Sequence, residues 1–278
     1  MVFYKSCSGG NDFLQIDAAE LKTPPTPQRI RDWCRRHQGA GADGVVLYDR
    51  SVNPVSFRIF NQDGLEAELS GNGMAGLTAL LAHLELASAE VELETKAGRF
   101  SHRILDRSDG LFRMEIDLGV PDFQCVRLFP FLADTPSYPI VDGFSYRDIR
   151  FFPVTVGNPQ IVLLKSRGQS VEDLLMLAEE LHDRPMFPFR TNVSVVDDRG
   201  DGVAHAFFYE RGVGRTEASS TGSAGAYAVL RARNPELSSM RFVTPGGEEI
   251  KVFGKQRIRI ENRTRIVYKG EYWEFADV

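Results

Sequence analysis

The chain repeats itself once, at a spacing of 149 residues, and no other feature restricts its fold as much. Phe57–Gly76 reads FRIFNQDGLEAELSGNGMAG, and Ala206–Ala226 reads AFFYERGVGRTEASSTGSAGA. With Ser70 placed on Ser219, Phe60 falls on Tyr209, Glu68 on Glu217, Gly73 on Gly222 and Gly76 on Gly225. The same register carries residues 42–50 onto 191–199 and residues 95–98 onto 244–247. A long period present in only two copies predicts two similar lobes rather than a solenoid. Each copy is a β-rich run, a polar turn and a helix start made of small residues. The first N–H groups of a helix have no partner in the helix itself, so this arrangement suits an anion. Small side chains let a ligand come close to the backbone. Pseudo-symmetry then predicts one serine-bearing loop, with Ser70 or Ser219, on each side of a central cleft.

The order of elements is read the same way. Val2–Lys5 and Phe13–Asp17 read as strands around a Gly-rich turn, and Gln28–His37 reads as a helix. Val45–Tyr48 and Val55–Phe60 read as strands, with Asn61–Gly64 as a hairpin-type turn. Met74, Leu77, Leu80, Leu81 and Leu84 keep helical spacing after Gly73. Val91–Ile104 and Leu111–Leu118 read as strands. The lobe boundary is placed at Gly119–Asp122. Past a proline-rich opening come strands at Phe151–Val156 and Ile161–Leu164 and a helix at Val171–His182. The tail, Arg265–Phe275, reads as a strand that crosses back to the first sheet. The expected domains are residues 1–118 with a C-terminal strand from about 265 to 278, and residues 119–264.

A chain of 278 residues has room for two such lobes. Its net charge of −5 gives no electrostatic ground for a nucleic acid or an anionic membrane as partner. No apolar run is long enough to span a bilayer, and the N-terminus carries no secretory pattern. Three scattered cysteines suit neither a disulfide framework nor a zinc site and fit a reducing cytoplasm. No phosphate-loop pattern or Cys/His cluster calls for a nucleotide or a metal, so neither metal nor cofactor is expected.

The polar residues at turns beside strand ends form one set: Asn11, Asn61, Asn72, Asn158, Asn192, Glu210 and Arg211, with Ser70, Ser219, Ser220 and Thr221. A single Asn at a turn is ordinary turn chemistry. Five of them at matching loops of a two-fold repeat point to a polar ligand. Arg211 offers a fork for a carboxylate, and Glu210 can accept from an ammonium. An acidic and a basic residue side by side suit a zwitterion such as an amino acid.

These residues resemble the diaminopimelate epimerase family of cofactor-independent amino-acid racemases and epimerases. The resemblance covers nearly the whole chain. It rests on Gly10–Phe13 (GNDF), Gly41–Gly44 (GADG), Phe60–Gly64 (FNQDG), Glu66–Gly73 (EAELSGNG), Gly157–Pro159 (GNP) and Glu210–Gly214 (ERGVG). It implies an α/β (α+β) fold of two pseudo-symmetric lobes, each a curved, mostly antiparallel sheet wrapped round a central helix. It also implies an isomerase that epimerises diaminopimelate from the LL to the meso form, for lysine and peptidoglycan precursors, with a small amino acid as its ligand. A homodimer is left open. By position, Asn61, Asn158, Asn192, Glu210 and Arg211 match residues that grip the non-reacting end of the substrate, and Asn11 matches another contact. Gly71-Asn72 and Ser220-Thr221 match the loops that hold the reacting carboxylate.

The family's two catalytic cysteines match Ser70 and Ser219, and both are serine. The family reaction is a two-base transfer at the α-carbon, in which one thiolate takes the proton and the opposite thiol returns one. A thiol has a reference pKa near 8.5, lowered further at a helix N-terminus; a hydroxyl is a far weaker acid. In sequence no base adjoins either serine, and Gln160 stands where the family usually carries His. Three readings are therefore open: an epimerase running on serines, a same-fold isomerase using another acid–base group (Glu68, Glu217, Asp63 or Cys7), and an amino-acid-binding paralogue without turnover.

Overall fold

The computed structural model describes residues 1–135 and 142–273. Of the sequence expectations, part of the proline-rich opening (136–141) and the end of the tail strand (274–278) lie outside the described residues. The chain forms two compact units, one built from Met1–Ile116 together with the segment from Asn262 onward, the other from Asp117–Glu261.

In the first unit β1 (Val2–Ser8) turns at Gly9-Gly10 into β2 (Asn11–Asp17). Both glycines have positive φ, 58° and 78°, which a two-residue connection of this kind favours. Next come α1 (Pro27–Cys34), β3 (Gly44–Asp49), β4 (Val55–Asn61), the short β5 (Glu66–Ala67) and α2 (Gly71–His83). The hairpin of β6 (Glu90–Thr95) and β7 (Gly98–Ser108), then β8 (Leu111–Gly119), complete the run. β3 lies parallel to β2 and antiparallel to β4. It is buried on both faces, so it reads as a continuous apolar run, GVVLYD. One face, with Val45 and Leu47, packs with Ile30 and Trp33 of α1. The other face meets α2, where Val46 lies against Gly73.

The second unit repeats this order. It holds β9 (Phe144–Tyr146), β10 (Ile149–Val156), β11 (Asn158–Leu164), α3 (Val171–Leu181) and β12 (Asn192–Asp198). There follow β13 (Val203–Glu210), β14 (Gly214–Thr216), α4 (Ser220–Arg233), β15 (Ser239–Val243), β16 (Glu249–Phe253) and the start of β17 (Ile258–Glu271), which passes into the first unit at Asn262. Val193 and Val195 of β12 pack with α3 around Phe129, Phe151 and Phe187. The later part of β17 pairs antiparallel with β1, Val2 opposite Glu271 and Ser8 opposite Thr264. Among the described residues no helix is long and apolar enough to cross a membrane.

The fold is α+β, two similar lobes, each a mostly antiparallel sheet around a central helix. α2 is buried at every residue from Gly71 to Ala82, and α4 at every residue from Ser220 to Leu230. Burial all round, rather than on one stripe, is what a helix inside a sheet requires. Glycines let it fit. A Cβ on Gly76 would lie 2.3 Å from Ser6 Oγ and 2.4 Å from Gln15 Nε2. A Cβ on its counterpart Gly225 would lie 3.3 Å from Val154 Cγ1.

The ladders refine the repeat. Val55 pairs with Leu93 as Ala204 pairs with Phe242, and Phe60 with Glu66 as Tyr209 with Arg215. The 149-residue register thus holds from β4 through α2 to β6. It slips at the preceding strand: Val45 faces Phe60, whereas Val193, not Ser194, faces Tyr209. Sequence similarity of two apolar strands does not reveal a one-residue slip. Val91–Ile104, read as one strand, is a hairpin in which Thr95 pairs with Gly98. Its alternation continues across the turn and hides it.

The two glycines make a paired prediction. Gly76→Ala should cost about 1–3 kcal/mol through overpacking against Ser6 and Gln15. Gly225→Ala, where neighbours need give only a few tenths of an ångström, should cost less. Urea unfolding of both variants beside the parent checks the order.

Candidate active site

Both serines sit at the same structural position. Ser70 caps α2 with φ −141° and ψ 116°, and its side chain accepts from Gly73 N at 3.1 Å. Ser219 caps α4 with φ −143° and ψ 118° and accepts from Gly222 N at 3.0 Å. Serine is a favoured N-cap because its oxygen satisfies an amide that the helix cannot. Helix geometry leaves the N–H groups of Gly71 and Asn72, and of Ser220 and Thr221, outside each helix's own ladder. In both lobes such amides, with the positive end of the helix dipole, favour a negative charge beside the helix start.

The surroundings of the two serines differ. Ser219 is 3% exposed and donates to Glu210 Oε1 at 2.8 Å. The β13–β14 hairpin brings them together, since it pairs Glu210 with Gly214 and Phe208 with Thr216 before the chain reaches Ser219. Sequence reading found no base beside either serine; at Ser219 the structure corrects this, because the hairpin closes a nine-residue gap. Glu210 was assigned to the grip on the non-reacting end. In the structure its carboxylate accepts from the hydroxyl at the helix cap. No carboxylate among the described residues hydrogen-bonds Ser70. Of the other acid–base candidates, Asp63 accepts from Leu65 N at 2.9 Å as a turn residue, Glu217 is exposed, and Glu68 and Cys7 are half-buried.

The remaining residues fall into two groups by lobe. In the first, Asn11 and Asn72 are buried and joined, Asn72 Nδ2 donating to Asn11 Oδ1 at 2.7 Å. Asn61 closes the β4–β5 turn, its N–H bonded to Leu65 O and its carbonyl to Gly64 N, each at 2.9 Å. In the second, Asn158 and Asn192 are buried at the starts of β11 and β12. Asn192 Oδ1 accepts from Arg211 N at 2.8 Å, and Arg211 Nη1 donates to Phe189 O at 3.1 Å. Thr221 Oγ1 accepts from Gln160 Nε2 at 3.1 Å, so the glutamine in place of the family's His is tied to the helix start.

Sequence reasoning assigned no role to Asp12 and Asp43, although both lie in quoted motifs. Each carboxylate accepts from the other's backbone N–H, Asp12 N to Asp43 Oδ2 at 3.1 Å and Asp43 N to Asp12 Oδ1 at 2.9 Å. Arg36 bridges both, at 2.9 Å to Asp12 and 2.7 Å to Asp43, and Lys5 Nζ lies 2.7 Å from Asp12. This clasp ties the start of β2, with Asn11, to the start of β3. Burial alone would raise the Asp12 carboxyl; hydrogen bonds from Arg36 and Lys5 overcome it and hold it at about 2, against an ordinary 3.8. Cys34, by contrast, is pushed up to about 12 by burial and is a packing residue rather than a nucleophile.

The depressed Asp12 fixes a sign. Its stabilisation, about 2 kcal/mol, is present above pH about 4 and is lost as pH falls through about 2. Asp12→Asn should remove that acid-dependent component. Urea midpoints measured from pH 6 down to about pH 2, in parent and variant, check it.

Comparison with known proteins places the chain. The profile of diaminopimelate epimerase matches residues 3–122. Diaminopimelate epimerase 2 of a Nostoc species is 31% identical over 254 residues, covering 89% of this chain and 87% of that protein. Diaminopimelate epimerase of a Synechococcus species is 32% identical over 256 residues, covering 88% of each. Among solved structures, a hydroxyproline epimerase from Agrobacterium vitis with bound trans-4-hydroxy-L-proline superposes with a TM-score of 0.66 at 17% identity, over 98% of this chain and 89% of that one. A PhzF-family phenazine biosynthesis protein from Bacillus anthracis reaches 0.64 at 13% identity, over 99% of both. At these identities the two structures share the fold.

Proposed function

The chain belongs to the diaminopimelate epimerase family, and we propose that it is a cofactor-independent amino-acid epimerase acting on diaminopimelate through Ser219 and Glu210. As a member of that family it is an isomerase. The observation that carries the mechanism is the 2.8 Å hydrogen bond from Ser219 to Glu210 at the cap of α4. A hydroxyl alone is a poor base at neutral pH. One bonded to a carboxylate passes its proton on as it takes another, which is the logic of an activated nucleophile or relay base.

The step runs as follows. The substrate's α-C–H bond breaks, and its proton forms the new O–H bond at Ser219. The former Ser219 proton moves to Glu210 Oε1. The electron pair stays on the substrate, spread into its carboxylate, where helix-terminal N–H groups stabilise the growing charge. Inversion needs a second group to return a proton to the opposite face, and Ser70 is the candidate. Its oxygen is then left as an alkoxide and recovers a proton from water, and the hydroxide so formed takes the proton held by Glu210, which returns both groups to their starting state. The two half-reactions are unequal, because among the described residues Ser219 and not Ser70 is bonded to a carboxylate it can relay through. The grip on the distant amino and carboxyl groups is assigned to Asn61, Asn158, Asn192 and Arg211.

A second reading has one observation in its favour. With no carboxylate bonded to Ser70 among the described residues, proton removal and return can both run through Ser219 and Glu210. That chemistry suits a same-fold isomerase that shifts a proton on one face.

Glu210→Gln tests the relay. It should lower α-deuterium exchange into L,L-diaminopimelate by roughly 10²–10⁴-fold, the scale of a lost general base, while calorimetric binding persists. Loss of binding with unchanged exchange in the bound fraction would return Glu210 to the grip. The double change Ser70→Cys, Ser219→Cys supplies two groups of suitable acidity and should raise inversion above the parent; each single change should raise exchange more than inversion. Chiral analysis of the product, scored separately from deuterium content, checks it.

A further inference from the structure

The amide pair of the first lobe has a fixed polarity, and its origin can be traced. Asp43 is held as an acceptor: its Oδ1 takes Arg36 Nη2 at 2.7 Å and its Oδ2 takes Asp12 N at 3.1 Å. An ionised carboxylate donates nothing. Asn11, facing Asp43 Oδ2 at 3.2 Å, must therefore present Nδ2 to it. That leaves Asn11 Oδ1 toward Asn72, which must answer with its own Nδ2, at 2.7 Å. Asn72 Oδ1 is then turned to Asn262 Nδ2 at 3.3 Å and Ser8 Oγ at 3.5 Å. Ser8 in turn accepts from Thr264 Oγ1 at 3.1 Å. Donation runs one way along the chain, from Asn262 and Thr264 through Asn72 and Asn11 to Asp43.

We propose that Asp43 is a positioning residue that orients Asn11 and Asn72 so that they turn N–H groups, not oxygens, to a bound carboxylate at the start of α2. The inference rests on the amino-acid reading of the site and sharpens it. An asparagine can serve an ammonium or a carboxylate. Here both side-chain oxygens are engaged inside the lobe. A chain of bonds pointing one way polarises each member, making the N–H groups better donors. Asn72 stands at the second position of α2, where the helix dipole also favours negative charge. The lobe therefore favours a carboxylate, which accepts at both oxygens, over a neutral amide, which offers one accepting oxygen and an N–H₂ that would meet these donors.

The test uses the full chain with asparagine-selective ¹⁵N labelling, and calorimetry with L,L-diaminopimelate and its diamide. In the parent, Asn11 and Asn72 should each give one exchange-protected side-chain N–H₂ pair, and the diacid should bind in preference to the diamide. Asp43→Asn, which can donate or accept, should lose the protection and reduce the preference about tenfold or more, the scale of one hydrogen bond to a charged group. Asp43→Glu, still only an acceptor, should retain both. Unprotected Asn11 and Asn72 pairs in the parent would overturn the proposal without any variant. So would an Asp43→Asn protein that keeps both protected pairs and the parent's preference. If the parent binds neither compound while the protected pairs are present and depend on Asp43, the oriented amides stand. The amino-acid reading is then what fails, and with it the assigned carboxylate.

Discussion

A helix buried along nearly its whole length has to find acceptors for its first amides inside the protein, and everything at this site follows from how that is done. α2 and α4 each solve it with a serine oxygen on the third amide, 149 residues apart and within a few degrees of the same backbone angles. The other amides at each helix start lie outside the helix's own ladder. An anion is the natural occupant, and the carboxylate of an amino acid is the anion that the family relationship suggests. The capping oxygen is also the atom from which proton chemistry is proposed. Structure and reaction draw on one group, so replacing either serine perturbs both the helix start and the base.

The two lobes share this device and differ in what supports it. In the second lobe a hairpin returns Glu210 to the serine. In the first lobe the carboxylates, Asp12 and Asp43, lie further back. Arg36 and Lys5 pair with them, and Asp43 is linked to the helix start through Asn11 and Asn72. One lobe thus has a carboxylate in direct contact with the capping hydroxyl, and the other has carboxylates that orient amides. This asymmetry within a repeated fold is the physical ground for expecting unequal proton transfer in the two directions.

Much of the fold was legible in the sequence because it depends on local rules. The Ser-Gly-Asn-Gly and Ser-Ser-Thr-Gly starts announce helix caps, and the apolar helices after them announce burial. Gly76 and Gly225 fall where the helix must approach the sheet. What stayed hidden depends on pairing between separate segments. The Glu210–Ser219 contact is set by the ladder of β13 on β14. The Asp12–Asp43 clasp is set by the parallel pairing of β2 and β3 across α1. The slip of β12 is invisible where apolar strands resemble one another. Asp12 and Asp43 were present in the motifs that carry the family resemblance, but only the reciprocal backbone contacts show what they do.

The central claim is that Ser219 and Glu210 form a working proton relay although neither helix cap carries a thiol. It is tested most directly by incubating the native protein with L,L-diaminopimelate in heavy water and following deuterium at the α-carbon separately from stereochemical inversion. The account predicts that deuterium enters faster than configuration inverts. Substrate that binds, seen by calorimetry, yet acquires no deuterium would contradict it.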